Sequence, residues 1–134
     1  MSGVRVLDVG RRISGPYCAK TLANMGADVI KVEPPKGSPS RGFAPFLEDA
    51  PKPEQSLNFF SYNRNKRGIT LDLQAEPGRR ALLTLGEKAD FVIESAEPGE
   101  MASLGLGFDE LRKRNPRLVY VAITAYGQDG PYSG

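Results

Sequence analysis

The sequence "VRVLDVGRRISGPYCAKTLANMGADVIKVE", residues 4–33, decides the fold class of this chain. Residues 4–9 form an almost continuous apolar run, which is typical of a buried strand. From Gly15 to the "MGA" sequence, small and apolar residues recur at helical spacing, and residues 28–33 are strand-like again. A strand, a helix of about three turns and a second strand within roughly 30 residues predict a βαβ unit with parallel strands and a right-handed crossover.

The rest of the chain continues this alternation after one long interruption. Residues 34–57 contain many of the chain's 11 prolines, so little regular structure is expected there. A connection longer than about 15 residues is usually functional or disordered. Beyond it, three more strands are predicted at residues 68–73, 90–95 and 117–127, separated by helices. The sequence therefore predicts one α/β domain over residues 1–134, a Rossmann-like open, mostly parallel sheet with helices on both faces.

Composition narrows the class of protein. The chain has 134 residues, of which 40% are apolar and 25% charged, an ordinary balance for a globular domain. Its net charge of +2 is too small to argue for binding to nucleic acid. It contains no histidine, so no histidine-based metal site, catalytic triad or proton shuttle lies within it, and no metal is expected.

The sequence favours a reducing, cytoplasmic location. Cys18 is the single cysteine and cannot form an internal disulfide. No apolar run approaches the roughly 18 to 20 residues that a membrane span requires. The first residues lead almost directly into a strand pattern, without the apolar core of a signal peptide. We therefore predict a cytoplasmic protein that does not insert into a membrane.

The carboxyl edge of the predicted sheet is the expected ligand site, because ligands of open parallel sheets bind there, where the strand order reverses. The segments that leave this edge all contain glycine: "GRRISGP", "PPKGS", "LQAEPG", "SAEPGE" and "AYGQDGPY". The first lacks the G-x-G-x-x-G spacing that brings backbone close to a pyrophosphate, and Glu33 alone is weak support for a ribose contact. Neither a nicotinamide nor a flavin cofactor is therefore expected.

Several motifs follow one another along the chain: "GADVIKVE", "NRNKRGITLDL", "PGEMASLGLGF" and "NPRLVYVAITAYGQDGPY". Together they resemble the N-terminal part of the class III coenzyme A transferases, the CaiB/BaiF family, over residues 4–132. The resemblance implies an incomplete large α/β domain that binds acyl-CoA across the ends of its strands. It also implies, for the complete enzyme, a homodimer whose two chains interlock.

The resemblance implies a mechanism whose central residue is not among these residues. In the family, an aspartate attacks the acyl thioester, the freed thiolate forms an aspartyl-CoA thioester, and an acceptor carboxylic acid then takes the CoA. That aspartate follows the "GQDGPY" motif, so no catalytic residue is assigned here and the chain alone is expected to be inactive. Two alternatives stay open: an acyl-CoA racemase of the same family, and a non-catalytic α/β assembly module.

The resemblance also implies which residues contact the coenzyme. The loop after the first strand would face the thioester, and we favour this role over the alternative of a tight turn prepared by Gly15 and Pro16. At Pro34 the family usually has an arginine for the adenosine diphosphate, which leaves a lysine as the nearest cation. The candidate coenzyme A-binding residues are Arg12, Ile13, Ser14, Lys36, Leu71, Ser95, Ala96 and Leu104. Leu71 is equally expected in a core, and a leucine in the position of Leu104 is more often a core residue than part of a ligand site.

The basic residues Arg64, Lys66 and Arg67 have three alternative roles. Their side chains could lie in solvent at a turn, could contact the phosphates of coenzyme A, or could form ion pairs that stabilise the domain or a neighbouring chain. They precede the third strand and so should lie near its amino end, opposite the ligand edge. This position favours a structural or dimer-contact role.

Overall fold

The structure is a computed structural model that describes residues 1–49 and 51–133. These residues form one parallel sheet in the order β3-β2-β1-β4-β5. The strands are β1 (Arg5–Asp8), β2 (Asp28–Glu33), β3 (Arg67–Thr70), β4 (Phe91–Glu94) and β5 (Val119–Ala122). The helices are α1 (Ser14–Asn24), α2 (Leu57–Asn63), α3 (Glu76–Gly86), α4 (Glu100–Ser103) and α5 (Phe108–Arg114). The predicted α/β class is confirmed, and every pairing in the sheet is parallel.

Apolar side chains cover both faces of the sheet. One core lies on the α1 side, and its buried members are Val6, Ala19, Ala23, Ala27, Val29 and Ile93. The other core lies on the side of α3, α4 and α5 and includes Leu7, Val32, Leu82, Val92, Leu106 and Leu111. Neighbours such as Val6 and Leu7 belong to opposite cores because successive side chains of a strand point to opposite faces. The prediction of helices on both faces is confirmed.

Four of the five strands are shorter than predicted: β1 and β4 by one residue at each end, whereas β3 ends three and β5 five residues early. β3 ends at Thr70 because the Asp72 carboxylate accepts a hydrogen bond from the Gln74 amide (2.9 Å) and turns the chain toward α3. β5 ends at Ala122, one residue before the Ile123 amide donates to the Glu94 carbonyl (2.9 Å). An apolar pattern can continue past such a point, but a strand pairs only as far as its neighbour extends.

The proline-rich segment after β2 is irregular, as predicted, with three short 3₁₀ turns at Pro39–Gly42, Leu47–Asp49 and Pro53–Gln55. It is nevertheless attached to the sheet. Arg41 donates two hydrogen bonds to the Glu33 carboxylate (2.7 and 2.8 Å), and its guanidinium lies 3.8 Å from the centre of the Phe59 ring. Ser56 donates to the Phe43 carbonyl (2.6 Å) and caps α2 by accepting the Phe59 amide (3.1 Å).

The described helices are short. The longest, α1 and α3, have 11 residues each, about half of what a bilayer core requires. Within residues 1–49 and 51–133, no helix is long and apolar enough to cross a membrane. The same residues hold no group of three or more histidine, cysteine, aspartate and glutamate side chains that could bind a metal ion.

Candidate functional site

The strand order reverses between β1 and β4, and the loops that follow these two strands lie side by side. The Arg11 amide donates to the Ser95 hydroxyl (2.7 Å), and that hydroxyl donates to the Arg11 carbonyl (3.1 Å). One serine side chain thus joins the β1–α1 loop to the β4–α4 loop. The crevice between these loops is where an open parallel sheet binds a ligand.

The β1–α1 loop closes on itself tightly. A Cβ atom on Gly10 would lie 2.8 Å from the Gly15 Cα and 2.9 Å from the Pro16 Cδ, so no side chain fits at this position. Arg12, between them, has a φ of 56°, which is uncommon for a residue other than glycine. Such conformations cluster at ligand-binding loops, where surrounding contacts enforce them.

A first cavity of about 310 Å³ lies beyond the carboxyl ends of β1, β2 and β3. Its apolar wall includes Val9, Val32, Leu71, Leu73 and Met101. Its polar wall includes Arg11, Lys31, Glu33, Asp72 and Gln74. An apolar cleft with a few polar groups is the usual form of a small-molecule site.

A second, more open cavity of about 750 Å³ lies beyond the carboxyl ends of β4 and β5. Arg11, Pro39 and Ala96 belong to the walls of both cavities, so the two are neighbours across the crevice. Its polar and aromatic wall includes Arg12, Ser14, Ser95, Glu97, Tyr126 and Tyr132. The two neighbouring cavities lie along the same edge of the sheet, and we refer to them together as the cleft.

A buried cluster of charges, Asp8, Lys31 and Lys66, lies beneath the β1–α1 loop. Lys66 Nζ donates to Asp8 Oδ2 (2.8 Å), and Lys31 Nζ lies 3.4 Å from Asp8 Oδ1. The exposed fractions of the three side chains are 0% for Asp8, 3% for Lys31 and 1% for Lys66. Burial lowers the pKa of both lysines, and the Asp8 carboxylate opposes that shift.

This cluster holds Gly10 within the loop and Pro16 in the first turn of α1. Lys31 Nζ donates to the Gly10 carbonyl, and Lys66 Nζ donates to the Pro16 carbonyl (2.8 Å). The Gly10 amide donates to Asp8 Oδ1 (2.9 Å). The amide and the carbonyl of Gly10, just beyond the end of β1, are therefore both paired with buried charged groups.

Arg11, which belongs to the walls of both cavities, forms an ion pair. Both Nη atoms of Arg11 donate to the Glu100 carboxylate, at 2.9 and 2.5 Å. The hydrogen bonds from Arg11 lower the pKa of Glu100. The two side chains are 46% and 29% exposed, so solvent reaches this pair and weakens its electrostatic contribution.

Glu94, at the end of β4, supports the second loop from below. Its carboxylate accepts a hydrogen bond from the Ala96 amide (2.6 Å), and only 3% of the residue is exposed. Burial raises the pKa of Glu94, and burial together with the Glu94 charge raises the pKa of the neighbouring Tyr120 phenol. The Glu94 carboxylate thus holds the Ala96 backbone in the cleft wall, although burial disfavours the charged form of this carboxylate.

The cleft brings together five of the eight residues predicted from the sequence. Arg12, Ser14 and Ser95 line the second cavity, Leu71 lines the first, and Ala96 lines both. Whether any of them contacts coenzyme A stays a prediction.

The other three predicted residues lie apart from the cleft wall. Lys36 lines a third depression, which shares Glu33 and Pro34 with the first cavity. Ile13 is 42% exposed at the start of α1 and lines neither cavity. Leu104 packs against the core on the α3–α5 side, the alternative role that its apolar side chain allowed.

Arg11, Lys31 and Met101 line the cleft but were not predicted. A signal existed for Lys31, since a lysine within the buried run "DVIKVE" needs a partner. Among the basic residues 64–67, a role as a solvated turn is wrong for Lys66, because its side chain is buried against Asp8. Arg67 forms an ion pair with Asp28 at the surface (2.8 Å), which agrees with the structural role that the sequence favoured.

Comparison with known proteins identifies related sequences. The family model described as CoA-transferase family III matches residues 1–134. A probable fatty acyl-CoA transferase of Mycobacterium tuberculosis is 42% identical over 98% of this chain and 33% of its own length. A succinyl-CoA:(R)-benzylsuccinate CoA-transferase subunit of Thauera aromatica is 43% identical over 97% of this chain and 32% of its own length.

Solved structures agree with these relatives. A crystal structure of the mycobacterial protein superimposes with a TM-score of 0.88 at 41% identity, covering 99% of this chain and 36% of that one. A CaiB/BaiF family protein from Brucella suis superimposes with a TM-score of 0.89 at 38% identity, covering 98% of this chain and 35% of that one. The chain therefore spans about a third of the length of the curated relatives it matches.

Proposed function

Because this chain belongs to CoA-transferase family III, we propose that it is the N-terminal, coenzyme A-binding part of an enzyme that moves coenzyme A from an acyl-CoA to a carboxylic acid. The observation that carries this proposal is the pair of neighbouring cavities at the carboxyl edge of the sheet, which share Arg11, Pro39 and Ala96 in their walls. The apolar wall of the first cavity suits the adenine or the pantetheine arm, and the more polar wall of the second suits the thioester end.

The cleft offers distinct groups to the different parts of coenzyme A. In this proposal, Leu71 and Leu73 pack against the adenine or the pantetheine arm, since both line the first cavity. Lys36, beyond the end of β2, provides a point charge for phosphate. Arg12 and Ser14 face the thioester end from the β1–α1 loop, with Ser95 and Ala96 opposite them. Ile13 and Leu104 stay weaker candidates because neither lines the cleft.

The chemical step needs a carboxylate that we assign to a part of the enzyme outside these 134 residues. Its aspartate would attack the acyl carbonyl and release the CoA thiolate, leaving an acyl anhydride. The thiolate would then attack the aspartyl carbonyl of the anhydride to give an aspartyl-CoA thioester and the free acyl acid. Finally, the acceptor acid takes the CoA by the same two steps in reverse. In this scheme the present residues bind and orient acyl-CoA, and this chain alone is inactive.

Three further properties belong to the proposal. Residues 1–134 act as one domain within a larger two-domain enzyme, that enzyme is an interlocked homodimer, and it works in the cytoplasm. The names of the relatives support the substrate classes, since each is called a transferase of acyl-CoA or of CoA from succinyl-CoA.

A thermal-shift titration of the purified chain with acetyl-CoA tests the proposal. A ligand present at 100 times its Kd adds about 2.7 kcal/mol to the free energy of unfolding, so acetyl-CoA should raise the unfolding temperature whereas acetate should not. Arg12→Glu should reduce the shift. Arg117→Glu, which makes the same change at an exposed position before β5, should leave it unchanged. A folded sample that shows no shift at millimolar acetyl-CoA would contradict coenzyme A binding.

One observation favours a second function, a non-catalytic assembly module. On the side of α1 and α2, large apolar side chains are exposed: Tyr17 (56%), Leu57 (41%) and Phe60 (44%). Apolar surface of this kind is usually covered by another part of an assembly. Light scattering distinguishes the two functions, because a monomer that binds acetyl-CoA supports the enzyme fragment and an oligomer that does not bind it supports the module.

A further inference from the structure

The cluster of Asp8, Lys31 and Lys66 holds one more positive than negative charge. The Lys66 ammonium has three donors and meets three acceptors, at Asp8 Oδ2 (2.8 Å), the Pro16 carbonyl (2.8 Å) and Asn63 Oδ1 (3.0 Å). Lys31 Nζ contacts the Gly10 carbonyl and Asp8 Oδ1, which are also acceptors. Acceptors on every side favour the ammonium form of both lysines, so the cluster carries a net charge of about +1.

Stability alone does not require the second lysine. Either lysine by itself would neutralise Asp8, and each further buried cation adds a desolvation penalty. Replacing a buried ion pair with apolar side chains of similar volume is often neutral or stabilising. The excess charge therefore needs an explanation in what lies next to it.

The first cavity lies next to it. Lys31 forms part of the cavity wall, and the two lysines hold Gly10 in the β1–α1 loop and Pro16 in the first turn of α1. Other charged groups of the same wall are already paired, Arg11 with Glu100 and Glu33 with Arg41. Asp72, also in the wall, is exposed and therefore screened by solvent. The buried cluster is thus an unscreened excess of positive charge beside the cavity.

We propose that the Asp8–Lys31–Lys66 cluster provides the electrostatic attraction that favours a polyanionic ligand in the first cavity, with Lys31 as the nearer cation. The inference rests on the proposed function, which assigns the adenine or the pantetheine arm of coenzyme A to this cavity and so brings the phosphates close to it. A buried charge acts through a low dielectric, and salt screens it less than it screens a surface lysine. Both lysines also position the loop by holding the Gly10 and Pro16 carbonyl groups.

The test compares two ligands that share an apolar arm but differ in charge. Calorimetry would measure the Kd of the chain for coenzyme A and for uncharged pantetheine at one ionic strength. Lys31→Met should lower the preference for coenzyme A by about tenfold, and Lys66→Met by a smaller factor, because the lost charge is farther from the cavity. Lys88→Met removes the same charge at an exposed position before β4 and should leave the preference unchanged.

The outcomes separate this inference from the proposed function. If both lysine variants weaken coenzyme A and pantetheine by the same factor, the cluster is only structural and the inference is wrong. The inference is also wrong, with the proposed function intact, if wild type prefers coenzyme A and both variants keep that preference. If wild type binds neither ligand, both proposals fail. If Lys31→Met does not fold, the Kd values of Lys66→Met for coenzyme A and pantetheine decide the question, because this variant leaves a neutral Asp8–Lys31 pair.

Discussion

The ends of β2 and β4 place a glutamate in two different environments, although both side chains are buried. Glu33 is 8% exposed, and Glu94 is 3% exposed. Burial disfavours the charge of Glu33, but hydrogen bonds from Arg41 and the Ser38 amide outweigh it and hold the pKa below its usual value. Burial raises the pKa of Glu94, which accepts the Ala96 amide and is in no ion pair within the described part of the chain. At this edge a nearby cation, rather than depth of burial, decides whether a carboxylate is stabilised in its charged form.

The end of β1 extends the comparison. Asp8 is fully buried, and it pairs with two lysines, whereas Glu33 pairs with one partly buried arginine. Cations are therefore concentrated at the ends of β1 and β2, which border the first cavity. The side of the cleft at β4 and β5 is supported instead by hydrogen bonds to backbone amides.

The largest effect is expected from Asp8→Asn. It removes the carboxylate between two buried ammonium groups, and leaving buried charges without a partner typically costs 3–5 kcal/mol, so we expect a loss of about 3 kcal/mol in the free energy of unfolding. Urea denaturation measures it, with Asp109→Asn on the exposed side of α5 as the matched control. A loss below about 1 kcal/mol would show that the lysines adapt by losing their protons.

A smaller effect is expected from Arg41→Met, which gives Glu33 an environment like that of Glu94. The free energy of unfolding at neutral pH should fall by about 2 kcal/mol, because a largely buried carboxylate loses two charged hydrogen bonds. A depressed pKa stabilises the fold above the unfolded value of about 4.3, and this stabilisation is lost as pH falls through the folded pKa. The difference from wild type should therefore shrink below about pH 4.

The matched control for Arg41→Met is Arg80→Met. Arg80 also pairs with a glutamate, Glu76, but both side chains are about 70% exposed, so its loss should be within about 0.5 kcal/mol. Denaturation curves at several pH values compare the two variants. Equal losses for both, or a loss for Arg41→Met that does not change with pH, would contradict this account of Glu33.

The smallest effect is expected from Glu94→Gln, which keeps an acceptor for the Ala96 amide but removes the charge. A raised pKa stabilises the fold below the unfolded value of about 4.3, and this stabilisation is lost as pH rises through the folded pKa. Relative to wild type, the variant should therefore gain stability from about pH 4 to neutrality, reaching roughly 1 kcal/mol. Glu97→Gln, in the adjacent exposed position, should show no such trend. Parallel pH profiles for wild type and Glu94→Gln would refute the raised pKa.

Local patterns in the sequence predicted most of the fold. The predicted apolar runs correspond to β1, β2 and β4, which end at Asp8, Glu33 and Glu94. The predicted bounds of these strands agree with the structure to within one residue. The predicted β3 and β5 extended too far toward the C-terminus, because apolar periodicity does not show where a neighbouring strand stops. For the site, the glycine-containing loops pointed to the correct edge, since parallel strands place their carboxyl ends together.

The roles of individual side chains were harder to predict. Lys66 lies at the start of β3, as expected, yet its side chain reaches Asp8 at the far end of β1, because a lysine has a long flexible stem. Leu104 and Leu71 are both leucines in matched motifs and both pack against the same core, but only Leu71 also lines a cavity. Residue type and spacing cannot separate these cases.

The amino-acid sequence by itself determined the α/β class, the parallel sheet with helices on both faces and the loops at its carboxyl edge. These depend on local periodicity and on turn residues, which act over short stretches of chain. Only the tertiary structure decided which charges meet, from the Asp8–Lys31–Lys66 cluster to the Arg41–Glu33 pair and the uncompensated Glu94. Electrostatic energies depend on distance and burial between residues far apart in sequence, and the fold alone sets both.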